Sequence, residues 1–317
     1  MRFSSIGDIV LTSPVIRCLK EQNSNAEIHY CTKKSFGSLV AHNPYIHKVW
    51  LYDDNMWELM ALFRKEKFNC IIDLHHNLRT LWIKLNLCTT PSYSFNKLNI
   101  QKWLLVNFKW NLMPDKHIVD RYIETLKPLG IVNDTKGLEF YIPENREIIV
   151  QKEFPKIGDK YAVFVIGAKF KTKQLPLEKI VSWCYKIDIP IILVGGKEDE
   201  SLALEICNIL HNRSIFNGVG KFSLLQSASI IKQSSLVLTN DTGMMHIAAA
   251  FQKKIISFWG NTIPSLGMYP YQVADSIIVE VKNLACRPCS KIGYNKCPKG
   301  HFNCMKLPNA EDYLIKI

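Results

Sequence analysis

The sequence predicts an α/β protein made of two doubly wound domains, each with a parallel sheet. Three observations lead there. Short apolar runs alternate with helical patterns along most of the chain, which implies parallel strands joined by crossover helices. A length of 317 residues suits two domains of ordinary size. And an apolar run, Ser235-Leu236-Val237-Leu238, leads through Thr239-Asn240-Asp241-Thr242-Gly243 into the small residues of a helix. Such a strand–turn–helix seats ligands at the carboxyl end of this kind of sheet.

In the first half, residues 26–31, 48–52 and 69–74 read as strands, and 8–21, 55–66 and 77–86 as helices. A strand should precede the first glycine turn. Only Met1-Arg2-Phe3 stand there, so either the first strand is a stub or the chain as given begins a few residues late, the second being expected. Residues 96–129 read mainly as helices and end at Lys127-Pro128-Leu129-Gly130. Gly137–Pro143 reads as a strand-like exit, and the boundary is expected near 143–157. The domains are then 1–150 and 151–317. In the second half, 161–166, 190–194, 235–239 and 254–258 read as strands, with helices over 176–186, 199–210, 222–232 and 243–250. Tandem domains of this type form a cleft between the carboxyl ends of two sheets. Asp8 and Thr242-Gly243 are expected on its facing walls.

The formal charge of +12 favours anionic partners without choosing among them. Between Arg64 and Arg121 ten Lys/Arg face four Asp/Glu, interleaved with Trp82, Trp103, Phe108 and Trp110. Solvated helix faces account for this as well as a surface for an anionic amphiphile at a membrane does. No apolar run reaches the roughly 20 residues of a membrane span. Asp8 falls where the apolar core of a leader would lie. A cytoplasmic location is expected, with the ten cysteines as reduced thiols or metal ligands.

Four constellations carry chemistry. Ser4-Ser5-Ile6-Gly7-Asp8 is a glycine turn entering a helix. Asp8 there is either a cap or a general base. Gly167-Ala168-Lys169-Phe170-Lys171-Thr172-Lys173 follows a strand and suits a diphosphate through lysine charge, Thr172 and backbone groups. Its spacing is not that of a Walker A loop. Asp199, after Gly195-Gly196, is either an acid at a helix start or a ligand of ribose hydroxyls. Asp241-Thr242-Gly243, with His246 three residues on, offers free amides, a helix dipole and an imidazole to an anion. Separately, Cys286, Cys289, Cys297 and Cys304 have the look of a structural zinc site, with packed thiols as the plain alternative and His301 as a substitute ligand.

In this order, Ile6-Gly7-Asp8-Ile9-Val10 with Pro14, the Gly167-Ala168…Lys173…Pro176 loop, Gly195-Gly196 and Asp241-Thr242-Gly243-x-x-His246 resemble glycosyltransferase family 9, the ADP-heptose:lipopolysaccharide heptosyltransferases. The likeness spans nearly the whole chain. It implies a GT-B fold, with acceptor on the first domain and nucleotide sugar on the second. It implies inverting transfer of a heptose or related sugar from an ADP-sugar, without a metal or other cofactor, to an anionic lipopolysaccharide-core acceptor at the inner membrane face. Residue by residue, Asp8 matches the base and Lys173 the diphosphate lysine. Asp241, Thr242, Gly243 and His246 match the donor turn. Asp199 falls within one position of the ribose acid. The family more often has Lys-Arg-Trp-Pro where this chain has Lys173-Gln174-Leu175-Pro176. Two other functions fit the composition: a basic, cysteine-liganded nucleic-acid-binding protein, and a donor-binding homologue without activity. No nucleic-acid-binding motif supports the first.

Overall fold

The computed structural model describes residues 1–313. The chain divides into two compact units. Unit 1 comprises Met1–Leu98 and Lys116–Tyr141; unit 2 comprises Asn99–Asp115 and the chain from Ile142 onward. The division at Tyr141/Ile142 lies just before the boundary expected from sequence. Residues 99–115 group with the second unit rather than the first.

Unit 1 contains strands β1 (His29–Lys33), β2 (Lys48–Tyr52), β3 (Ile71–Asp73) and β4 (Ser92–Ser94). Its helices are α1 (Ile6–Val10), α2 (Ser13–Gln22), α3 (Met56–Phe63), α4 (Leu78–Asn86) and α6 (Ile118–Ile123), while α5 (Asn99–Phe108) belongs to unit 2. β1 pairs with β2, and β3 with β4, all parallel. Met1–Phe3, read above as too short for a strand, run between the two pairs. The Arg2 amide donates to the Cys31 carbonyl at 3.0 Å, and the Leu74 amide donates to the Met1 carbonyl at 3.1 Å. The Met1 ammonium donates to the Ile72 carbonyl at 2.6 Å. These residues therefore act as a stub strand. Beside it lies a cavity of about 710 Å³, lined by Met1, His29, Tyr30, Phe68 and Ile71 among others. The single helix expected over 8–21 is two helices, α1 and α2, with Leu11-Thr12 between them. Gly137–Pro143 joins no sheet. Side chains satisfy its backbone instead: Arg17 donates to the Gly137 carbonyl, and Ser13 Oγ accepts from the Glu139 amide.

Unit 2 carries one sheet of six parallel strands: β5 (Ala162–Val165), β6 (Ile191–Val194), β7 (Ile215–Asn217), β8 (Leu236–Asn240), β9 (Lys254–Trp259) and β10 (Ser276–Glu280). Their spatial order is β10-β9-β8-β5-β6-β7. Every residue of β5, β6 and β8 is buried, as expected for central parallel strands covered on both faces. The covering helices are α8 (Leu177–Tyr185), α9 (Glu200–Ile209), α10 (Leu224–Gln233) and α11 (Gly243–Ala250), with short α7 (Val150–Glu153) and α12 (Asn303–Lys306). Phe164, Trp183, Leu193, Leu238 and Phe258 sit in its core. From β5 the chain builds outward through β6 and β7, then returns to place β8 on the other side of β5. The order reverses between β5 and β8, and the loops leaving their carboxyl ends form a switch-point site. Among the described residues no helix is long and apolar enough to cross a membrane.

Candidate active site

The switch point of unit 2 brings together the loop after β5 and the turn after β8. Asn240 ties them. Its side-chain amide donates to the carbonyls of Ile166 and Gly167 at 3.2 and 3.3 Å, and its oxygen accepts from the Leu175 amide at 3.1 Å. Lys173 reaches across to Asp241, with Nζ 2.6 Å from Oδ2. Asp241 Oδ2 also accepts from Thr262 Oγ1 at 2.7 Å. Thr242 is the N-cap of α11, but its hydroxyl caps no amide. That oxygen is buried and has no partner among the described residues. The first amides of a helix have no intrahelical acceptor. This end therefore keeps both its open amides and its cap hydroxyl for a ligand, the condition for binding an anion. His246 is buried in the next turn.

Three residues expected to touch the donor prove to brace the site instead. Thr172 is 2% exposed. Its hydroxyl accepts from the Tyr294 amide at 2.8 Å and donates to the Tyr294 carbonyl at 3.0 Å, so it is not left for a phosphate. Asp199 turns inward. One oxygen accepts from the Gly196 amide and the other from Gln174 Nε2, each at 3.0 Å. Burial pushes its carboxyl pKa up. The exposed acid next to it is Glu198, folded back over Gly196. Gly167 is required by packing: a Cβ there would lie 2.1 Å from Asp199 Oδ2.

In unit 1, Asp8 sits in the short helix α1 and forms a reciprocal cap with Ser5. Ser5 donates to Oδ2 through its hydroxyl at 2.8 Å and its amide at 3.2 Å. Arg2, whose importance the sequence did not reveal, lies 2.6 Å from Oδ1. The same guanidinium donates to the carbonyls of Ser4 at 2.7 Å and Leu74 at 2.5 Å. Burial pushes the Asp8 carboxyl up, but the Arg2 charge and the Ser5 hydrogen bonds outweigh it and hold the group below its ordinary value. Asp8 is thus an ionised, oriented carboxylate at the carboxyl end of the stub strand. His75 follows β3 and packs edge-on against Phe3, ring centroids 5.7 Å apart. Burial, then the charges of Arg2 and Lys97, lower its imidazole pKa to about 4, against the pull of Asp8 and Asp73.

The four tail cysteines are free thiols. Among the described residues, no three of Cys286, Cys289, Cys297, Cys304 and His301 bring ligand atoms within 4.8 Å of one another. Zinc with thiolate ligands at about 2.3 Å requires sulfurs closer than that. Cys286 Sγ does lie 3.8 Å from His301 Nε2, and Cys304 lies within electrostatic reach of the other three thiols, so the expected ligands gather without closing that tight set. The tail also braces the loop after β9. Arg287 Nε donates to the Gly260 carbonyl at 2.6 Å, and a terminal nitrogen donates to the Thr262 carbonyl at 2.8 Å. The group that does gather is Glu27, His29 and His47. There His29 Nδ1 already accepts from Trp50 Nε1 at 3.2 Å. The basic aromatic stretch is partly packed: Trp82 meets Trp57 edge-on at 5.1 Å. Trp103, Phe108 and Trp110 form an exposed ring cluster.

Comparison with known proteins agrees with this arrangement. The model of glycosyltransferase family 9 (heptosyltransferase) matches residues 56–297. Lipopolysaccharide heptosyltransferase 1 of Campylobacter coli is 22% identical over 285 residues, covering 83% of each chain. A family 9 glycosyltransferase from Veillonella parvula superposes with a TM-score of 0.79 at 20% identity, covering 98% of this chain and 92% of its own. The E. coli heptosyltransferase WaaC with ADP-2-deoxy-2-fluoro heptose gives 0.66 at 17% identity, covering 92% and 95%. The fold is GT-B, and the nucleic-acid-binding alternative is set aside. With its match over most of the chain, this protein belongs to glycosyltransferase family 9 and is a glycosyltransferase.

Proposed function

We propose that the chain transfers a heptose from ADP-heptose to a lipopolysaccharide-core acceptor, inverting the anomeric configuration, with Asp8 as general base. The observation that carries the reading is the start of α11. Its open amides and uncapped Thr242 hydroxyl stand beside Lys173, which Asp241 holds at 2.6 Å. Support also comes from the relatives, which are heptosyltransferases, one of them solved with an ADP-heptose analogue.

In this mechanism unit 1 holds the acceptor and unit 2 the donor. The acceptor hydroxyl gives its proton to Asp8 as its oxygen attacks the anomeric carbon. The bond to the β-phosphate oxygen breaks from the opposite face, so a single displacement inverts configuration. Negative charge grows on the departing ADP. Lys173 and the amides of Thr242-Gly243 meet that charge, so no metal is needed. In this reading His246, buried in the next turn, supports the phosphate seat, and the exposed Glu198 beside the inward-turned Asp199 holds the ribose. The exposed Trp103, Phe108 and Trp110 suit peripheral contact with the membrane that carries the acceptor.

A donor panel tests this. ADP-heptose, other ADP-sugars and GDP-sugars are compared by thermal shift. ADP-heptose at about 100 times its Kd should stabilise the fold by roughly 2.7 kcal/mol. No stabilisation by any ADP-sugar would refute the reading. Binding without transfer to a core acceptor would identify an inactive donor-binding homologue.

A further inference from the structure

Asn261 is the second residue after β9, beyond the carboxyl end of the strand next to β8. It is 2% exposed. Both its side-chain oxygen and its side-chain nitrogen are buried without a partner among the described residues. Buried carboxamides rarely leave both ends unmatched, and leaving them so is destabilising.

The backbone around it is fixed on every side. The Asn261 amide donates to the Thr172 carbonyl at 3.4 Å, and its carbonyl accepts from the Cys289 amide at 3.0 Å. Arg287 holds the carbonyls of Gly260 and Thr262 on either side. A Cβ on Gly260 would come 2.4 Å from the Thr172 carbonyl, so the loop is pressed against the segment carrying Lys173. Thr262, the next residue, binds Asp241. Asn261 is therefore wedged between the Lys173 loop and the Asp241 turn, with only its side chain left to interact.

We propose that Asn261 is a specificity-determining residue that binds hydroxyls of the transferred sugar. A carboxamide presents a donor pair and an acceptor together, which matches the neighbouring hydroxyls of a sugar. Apolar walls and lone charges do not make that distinction. A site built to hydrogen-bond a hydroxyl discriminates strongly against ligands that lack it. The inference rests on the reading of the α11 turn as a nucleotide-sugar seat.

ADP and ADP-heptose separate the two claims, because ADP fills the diphosphate seat and lacks the sugar. Titration calorimetry with Asn261→Ala should leave ADP affinity unchanged. ADP-heptose should bind about 5- to 100-fold more weakly, the range for losing one or two neutral hydrogen bonds. The ligand-free Ala variant should melt no lower than the parent, because it discards two unmatched groups. Asn261→Ser, which keeps one hydroxyl, should fall between, and it serves where Ala does not fold. Equal affinity for ADP-heptose in parent and variant, with a lower melting temperature, would identify an amide matched by internal water and overturn the proposal. Equal weakening of ADP and ADP-heptose would do the same, by showing a collapsed loop. If the parent binds neither ligand, the donor seat itself is misassigned.

Discussion

Replacing Arg2 with Met should separate orientation of the base from its chemistry. Met keeps much of the buried stem and removes the guanidinium. Three partners lose it at once: Asp8 Oδ1 at 2.6 Å and the carbonyls of Ser4 and Leu74 at 2.7 and 2.5 Å. Breaking a buried pair on one side typically destabilises by about 3–5 kcal/mol, since the remaining charge stays buried. The Asp8 side chain is 19% exposed, so solvent relieves part of this and the lower end is expected. That corresponds to a fall of roughly 10 °C in melting temperature. The second consequence concerns pH. Arg2 is the largest influence holding the Asp8 carboxyl down, against burial pushing it up. Without it, burial dominates and the pKa rises. Turnover at saturating donor and acceptor should then lose activity on the acid side at a higher pH than in the parent. The assay is kcat against pH from 4.5 to 8, with melting followed in parallel. An unchanged acid limb together with an unchanged melting temperature would refute the idea that Arg2 positions and ionises Asp8.

Three further outcomes follow from the same geometry. Lys173→Met should weaken ADP-heptose binding by about 10- to 100-fold, as one charge-assisted hydrogen bond is lost; calorimetry showing parental affinity would remove Lys173 from the donor seat. Gly167→Ala should destabilise unit 2 by roughly 2–4 kcal/mol, because its Cβ displaces a carboxylate that would otherwise lie 2.1 Å away; urea unfolding with no shift in midpoint would show that the loop yields freely. His75 predicts acid sensitivity. The folded protein takes up its proton only near pH 4, whereas the unfolded chain does so near 6.5. Between these values the unfolded state binds more protons, so stability falls as pH drops, by up to about 3 kcal/mol. In His75→Phe that slope should shrink, and an unaltered slope between pH 6.5 and 4 would exclude His75 as its source.

What the sequence revealed and hid has physical causes. The central strands of unit 2 were legible because burial on both faces makes them continuous apolar runs, as in Ile191–Val194. The α11 turn was legible because Asp-Thr-Gly before small residues is a strand–helix junction. Short edge strands were missed: β4 and β7 have three residues each and no buried ones to mark a pattern. The stub at Met1–Phe3 was one of two readings and the less favoured one, because its order comes from neighbours on both sides rather than from its own length. Thr172 and Asp199 were expected to bind the donor, and their side chains are instead engaged within the protein. Their residue types bind phosphates and riboses as readily as they bind Tyr294 and Gly196, and only packing decides between these. Arg2 and Asn261 had no local pattern at all. Arg2 pairs with nearby Asp8 but is also held by the Leu74 carbonyl, 72 residues away, and Asn261 is marked only by its lack of a partner among the described residues. The cysteine spacing did bring the four thiols near one another, but packing leaves no three ligand atoms among the described residues close enough to close around an ion.

The most direct test of the account is Asp8→Asn. The amide keeps the shape of the carboxylate and cannot accept the acceptor hydroxyl's proton. Turnover from ADP-heptose to a lipopolysaccharide-core acceptor should fall by about 10²- to 10⁴-fold, the usual contribution of a general base. The thermal shift with ADP-heptose should stay at the parental value, since the donor is held by unit 2. Near-parental turnover in Asp8→Asn, with the fold intact, would contradict the account.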